Sequence, residues 1–309
     1  MINLGYACIN MELSSGPKKS RITTNRSMIK RTFEAKGKGY ASELALQNLK
    51  DLLSILKWNL RNDISFFRIS SEVFPWASEY EIESLDNYQE LLSAAQKVGR
   101  FASEHNMRLT SHPGPFNKLC SPKERVVENT IKDLEIHGKM FDMMGLSRTP
   151  FNKINIHVGA AYDSKEVALD TFCKNFERLS ESVKSRLTVE NDDRPSLYST
   201  HELYDGVYKR LAIPIVFDYH HHKFRNDGES EEEALSVASE TWGLIKQVVH
   251  YSESKRHEAN DPSIKENAHS DYIYTKLNNY SKDLDVMIEA KAKEKALIKY
   301  RNTHFKLEV

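Results

Sequence analysis

Cysteine is scarce in this chain: Cys8, Cys120 and Cys173 are the only three in 309 residues, and no two form a CxxC pair. That scarcity excludes a disulfide framework and a zinc ribbon. Surplus charge is missing too, since 44 basic residues balance 44 acidic ones. A polyanionic partner would therefore have to be met by a local patch. No apolar run approaches the ~20 residues of a membrane span, and the opening Met-Ile-Asn-Leu-Gly-Tyr has neither the basic nor the apolar region of a signal peptide. Linkers, repeats and low-complexity stretches are absent as well. The expectation is a reduced, cytoplasmic, soluble enzyme with no membrane contact, folded as one domain over 1–309.

Short β-like runs alternate with longer helical segments, the pattern of βα units around a parallel sheet. The runs are Asn3–Cys8, Ser65–Ile69, Met107–Ser111, Asn152–Ile156, Arg186–Val189, Pro214–Phe217, Leu244–Val249 and Leu284–Ile288. Apolar spacing predicts helices over Ala41–Leu60, Leu85–His105, Ser164–Ser182, Ser196–Leu211 and Glu229–Leu244. Ser84 is placed as an N-cap, and Ser121-Pro122 as the start of a helix to Met144 with proline in its first turn. The acidic group Glu229, Glu231, Glu232 and Glu233 suits the positive end of a helix dipole. The last strand and a basic terminal helix fill Asn278–Val309. The predicted class is α/β, a single TIM (β/α)8 barrel, a fold that uses about 250 residues.

The most telling pattern is what stands where these runs stop: His112, His157, Glu190, Asp218, His250 and Glu289 each end or follow one. Barrel strands deliver such residues to one face, the C-terminal face where active sites lie. A single histidine in Ser111-His112-Pro113-Gly114 would ordinarily be a rim hydrogen-bonder, but the repetition along the chain argues against that reading. Three imidazoles and three carboxylates brought together make a ligand set for divalent metals. Glu190 pointing into a barrel mouth needs a cation or a proton, because an unpaired buried charge is very costly. In Asp218-Tyr219-His220-His221-His222, Asp218 and His220 share a side if the strand continues, while a turn would free His221 for a neighbouring ion. His269 sits in the loop after the seventh strand. His105, His137, His201, His257 and His304 lack strand-end context and are read as structural or surface residues.

Charge is concentrated in one place. Lys18, Lys19, Arg21, Arg26, Lys30, Arg31, Lys36 and Lys38 are opposed only by Glu34. The run is either a solvated flexible loop or, following the first strand, a phosphate-contacting loop on the metal face.

Taken in order, seven segments resemble the UV damage endonucleases, distantly related to the endonuclease IV type. They are Leu4-Gly5-Tyr6-Ala7-Cys8-Ile9-Asn10, Arg68-Ile69-Ser70-Ser71-Glu72-Val73-Phe74-Pro75, Ser111-His112-Pro113-Gly114, Glu190-Asn191-Asp192-Asp193, the Phe217–His222 run, His269-Ser270-Asp271-Tyr272-Ile273 and Asp285–Ala296. The resemblance implies a TIM barrel that hydrolyses the phosphodiester immediately 5′ of a damaged nucleotide. It also implies two or three divalent ions, manganese first, with zinc or another divalent metal as the alternative. His112, His157 and Glu190 would hold one ion. Glu190 would bridge to a second, bound also by Asp218, His250 and Glu289. His221 and His269 would hold a third. Glu190, Glu289 and His250 would carry the catalysis. Tyr6, Asn10, Pro115, Phe116 and Lys291 would meet damaged double-stranded DNA, with no obligatory protein partner and a monomeric chain.

Two positions depart from that family pattern. Pro115-Phe116 stands where Gln-Tyr probes the lesion; Phe116 can still wedge between bases, but Pro115 offers neither side-chain hydrogen bond nor backbone donor. Val248 occupies the place of a lysine found carboxylated in the family. Lys246 faces the same side but lies about 6.6 Å further from the rim at strand rise, so it is not expected to substitute. Abasic-site cleavage and sugar isomerisation or epimerisation on the same barrel are the competing activities, because one barrel hosts many chemistries.

Overall fold

Eight parallel strands close on themselves in the computed structural model, which describes residues 2–17 and 20–305. Met1, Lys18, Lys19 and residues 306–309 lie outside the described residues. In chain order the strands are β1 (Ile2–Ala7), β2 (Phe66–Ile69), β3 (Arg108–Ser111), β4 (Ile154–Ile156), β5 (Leu187–Glu190), β6 (Ile215–Asp218), β7 (Gln247–Tyr251) and β8 (Leu284–Ile288). Each pairs with its sequence neighbours, and β8 returns to β1. Helices fill the connections, including Lys30–Arg61, Tyr88–Glu104, Glu124–Met144 and Lys165–Phe176. This is the TIM barrel.

Period-2 alternation decides what each strand shows to the lumen. On β1, Tyr6 turns outward, its ring edge-on to Phe67 at 5.0 Å between centroids. Gly5 turns inward against β2, where an added Cβ would stand 2.5 Å from Phe66 Cδ1; only glycine lets that phenyl ring fill the lumen. Phe66 packs there with Ala7, Val216, Val248 and Met287. The far end is closed by Arg108, which donates to the Lys246, Phe151 and Pro150 carbonyls and pairs with Asp285 at 2.9 Å. Such a buried charge is tolerable because every donor group is used. The lumen is thus plugged below, and its polar groups open only at the C-terminal mouth.

Several boundaries differ from the sequence expectations. The first long helix begins at Lys30 rather than Ala41, absorbing half of the basic run, and kinks at Gly37 (φ 64°). Ser84 ends a 3-10 turn, and Asn87 precedes the next helix. Pro122 lies ahead of a helix that starts at Glu124. The predicted 196–211 helix starts later, at Thr200, and reaches Leu211 as expected, but with a π segment, Tyr204–Tyr208, between the short α turns Thr200–Leu203 and Lys209–Leu211. Leu244 is fully exposed before β7, because the strand starts at Gln247. The acidic group does open a helix, Glu231–Glu240, where Ser230 and Glu233 form a capping box. The far end of the expected terminal helix falls outside the described residues; its described part is Glu294–His304.

Candidate metal centre

Glu190 closes β5 and is 1% exposed at the centre of the mouth. Four imidazoles surround it. Its Oε2 lies 3.3 Å from His112 Nε2 and 3.8 Å from His157 Nε2; its Oε1 lies 3.1 Å from His250 Nδ1 and 3.4 Å from His221 Nδ1. Asn155, two residues before His157 on the same face, donates to Oε2. Burial alone would raise this carboxyl, but His250, His157 and His112 hold it well below the usual range.

Asp218 ends β6 and caps the helical turn Tyr219–His222, its Oδ1 accepting from the His220 and His221 amides at 2.7 and 2.8 Å. That turn decides the fate of the histidine run: the strand does not continue, so His221 swings to Glu190 while His220 packs edge-on to His269 and Phe224. The second oxygen, Oδ2, is buried and makes no hydrogen bond. Burial with two nearby carboxylates raises the Asp218 carboxyl, while His221 and His250 pull it down. An orphaned carboxylate oxygen facing imidazoles and acids is what a divalent cation would satisfy. The donor set therefore fits a metal.

Three groups of side chains each converge within 4.8 Å: His112, His157 and Glu190; Glu190, Asp218 and His221; Asp218, His250 and Glu289. Glu190 and Asp218 are each shared between two groups. The grouping sets His221 beside Glu190 and Asp218. His269 enters none of the three, its Nδ1 lying 2.9 Å from the Glu289 carbonyl and 3.8 Å from Glu289 Oε2.

Most of these rings are aimed the same way. His112 Nδ1 faces the Pro113 carbonyl at 3.0 Å, His221 Nδ1 the Asn191 carbonyl at 2.9 Å, and His157 Nδ1 faces Asp192 at 3.2 Å. An oxygen there holds the proton on Nδ1 and leaves Nε2 as the ligand atom. His250 is reversed: its Nδ1 faces Glu190 and Glu289, and its Nε2 lies 3.4 Å from Lys153 Nζ. A cation at Nδ1 leaves the proton on Nε2, so Lys153 must then accept as a free amine. Burial pushes Lys153 down to about 7 despite the Glu190 carboxylate, and that makes the amine accessible. His112 is pushed down to about 4 by burial, against the pull of Glu190, so its ring is neutral.

Sequence reasoning passed over Arg68, Asn155, Lys153, Asn191 and Asp192 as actors. Arg68 on β2 pairs with Glu289, and this partner holds the Glu289 carboxyl far below its ordinary value against burial. Asn191 locks β5 to β6 through two bonds with the Asp218 backbone, at 3.0 and 2.8 Å. Counting back by twos from His157 would have found Asn155 and Lys153 on the inward face.

The residues expected at DNA divide. Pro115 and Phe116 stand exposed on the loop after His112, and Lys291 is exposed after β8. Tyr6 and Asn10 are fully buried instead. Tyr6 donates to Asn59 at 2.7 Å and accepts from Asn10 at 3.0 Å, and Asn10 also caps the Met11–Ser14 turn. Lys246 pairs with Asp283 at 2.8 Å and Asp285 at 3.1 Å, at the closed end of the lumen.

A cage of this kind sits on a fold that many enzymes share. A 3-keto-D-glucoside 4-epimerase from E. coli has the same architecture at 12% identity (TM-score 0.54, 84% of this chain and 95% of that one), a likeness of fold alone. The crystal structure of SacUVDE is a nearer match: TM-score 0.84, 29% identity, 98% of each chain. A UV-damage endonuclease of Schizosaccharomyces pombe is 37% identical over 95% of this chain, which spans 49% of that protein's length. UV DNA damage endonucleases of Clostridium perfringens and Bacillus mycoides are each 33% identical, covering 98% and 96% of this chain and 70% and 93% of theirs. The family model for the UV-endonuclease UvdE matches residues 2–308. With the strand-end acids and imidazoles all on one barrel mouth, and relatives of one kind along its whole length, the chain belongs to the UvdE family of UV endonucleases.

Proposed function

We propose that this chain is a metal-dependent DNA repair endonuclease that hydrolyses the phosphodiester immediately 5′ of UV lesions, cyclobutane dimers and 6-4 photoproducts among them. One observation carries the reading: in a UvdE-family chain, three carboxylates and four imidazoles converge at the barrel mouth around a buried carboxylate oxygen that makes no hydrogen bond. Two or three divalent ions, manganese first and zinc as the alternative, fit His112, His157, Glu190, Asp218, His221, His250 and Glu289, with His269 at the edge. Such ions, when bound, activate water near neutral pH and neutralise charge on the phosphate oxygens.

The protein's own groups do the rest. Glu190 and Asp218 hold adjacent positions together, Arg68 fixes Glu289, and Asp192 orients His157. Pro115 and Phe116 meet the distorted duplex, and Lys291 faces a phosphate. One domain over 1–309 acts on damaged double-stranded DNA as a monomer without a protein partner. Among the described residues no helix is long and apolar enough to cross a membrane.

The test uses end-labelled duplexes carrying a dimer, a 6-4 product, an abasic site or no lesion, incubated with and without Mn²⁺. Nicking 5′ of the photoproducts only with metal is expected. Cleavage confined to the abasic duplex would instead favour endonuclease IV-type activity. Glu190→Gln should lower nicking more than about 100-fold with unchanged circular dichroism, since even outer-shell partners of metal ligands are worth about 10–100-fold.

A further inference from the structure

We propose that Tyr162 is a second base-stacking residue, which works with Phe116 to hold the duplex open beside the metal centre; this deepens the endonuclease reading and rests on it. Phe116 and Tyr162 are 87% and 50% exposed. Phe116 follows His112 on the loop after β3, and Tyr162 follows His157 on the loop after β4, so both leave strands that end in a metal group. Neither ring makes a hydrogen bond or ring contact among the described residues. A cavity of about 380 Å³ lies beside both loops, lined by Gly114, Pro115 and Lys118 after β3, by His157 and Gly159 after β4, and by Asp192 and Arg194 after β5; Phe116 and Tyr162 stand outside that lining.

The platform under Tyr162 is fixed. Cys120 Sγ lies 3.1 Å from the Val158 carbonyl and 3.6 Å from that of Ala160, which also accepts from the Tyr198 hydroxyl at 2.9 Å. Lys118 lies over Gly159 so closely that an added Cβ would stand 2.0 Å from its Nζ. Loops after β3, β4 and β5 are therefore bound into one rim. On that rim Tyr162 adopts φ 45°, a left-handed conformation uncommon for a bulky residue and kept only where the surroundings enforce it. A half-exposed aromatic ring at such a rim, with no hydrogen bond or ring contact among the described residues, suits the π-face of an unstacked base.

The experiment compares Tyr162→Ala, Tyr162→Phe and wild type on one lesion, placed either in a fully paired duplex or in a preformed mismatch bubble. Helix opening is needed only for the first. The duplex-to-bubble ratio of nicking rates should fall about tenfold in Tyr162→Ala, the scale of one lost base stack, and be restored in Tyr162→Phe. An unchanged ratio in Tyr162→Ala overturns the proposal, whether both rates fall together or neither does. Wild-type nicking of the bubble upholds the endonuclease reading independently of Tyr162. Nicking of neither substrate would remove that reading and this inference with it.

Discussion

His221 lies between two acids and must give up a proton before it can bind a cation. Burial lowers its pKa, but the Asp218 and Glu190 carboxylates more than offset this and raise it to about 9. The metal-free ring is therefore an imidazolium at pH 7.5. Its ion pairs stabilise the metal-free fold fully below its ordinary 6.5, and that stabilisation is lost as pH rises through about 9. Metal binding runs the opposite way, because coordination expels the proton. Titration of Mn²⁺ at pH 7.5, in two buffers of different ionisation enthalpy, should show proton release, reduced by about one in His221→Asn. The same release in both proteins would remove His221 from the ligand set. At this scale the chain was legible where a chemical group stood alone at a strand end, as with His112, Glu190 and Glu289. It was opaque where a polar group sat within a strand or just before one. Lys153 reads as an ordinary basic residue until the barrel sets its amine beneath His250. Tyr6 and Asn10 show the converse: their motif suggested DNA, and alternation along β1 turns Tyr6 to the helices.

Helix packing limits side-chain size at one contact in particular. Gly99, inside Tyr88–Glu104, meets the C-terminal end of Glu124–Met144 so closely that an added Cβ would lie 1.6 Å from the Met144 carbonyl oxygen. That backbone oxygen cannot step aside like a flexible side chain, so the two helices must separate. Gly99→Ala should lower stability by about 2 kcal/mol, within the usual range for overpacking, despite alanine's better helix propensity. Thermal unfolding of the metal-free protein would measure it, and an unchanged midpoint would mean that the contact yields freely. Element identity was legible here from apolar spacing, but element ends were not. Pro122 and Ser84 carry the signals of helix starts, yet the helices begin two and four residues later; the Ser84 hydroxyl donates to the Glu81 carbonyl of its own 3-10 turn instead of capping a helix. The π segment over Tyr204–Tyr208 has no sequence signal of this kind at all.

With no net charge over the whole molecule, long-range attraction cannot bring a duplex to the site, so affinity must come from cations in the right place. The basic run after β1 supplies fewer than its composition suggests. Arg26 is ion-paired with Asp51 and binds the Thr23 and Arg21 carbonyls, which ties the loop to the first long helix. Lys38 donates to Ser84, Lys36 lies 4.2 Å over the Tyr40 ring, and Lys30 faces Glu34 at 3.8 Å. Lys18 and Lys19 fall outside the described residues. Arg21 and Arg31 remain, with no side-chain ion pair among the described residues. If both meet phosphates, each adds about 0.9 to the steepness with which log affinity falls against log salt. The Arg21→Ala/Arg31→Ala variant should therefore bind lesion duplex with a slope shallower by about two, read by fluorescence anisotropy across a salt series. An unaltered slope would assign the run to holding the first loop in place and leave the phosphates to Lys291 and the barrel mouth.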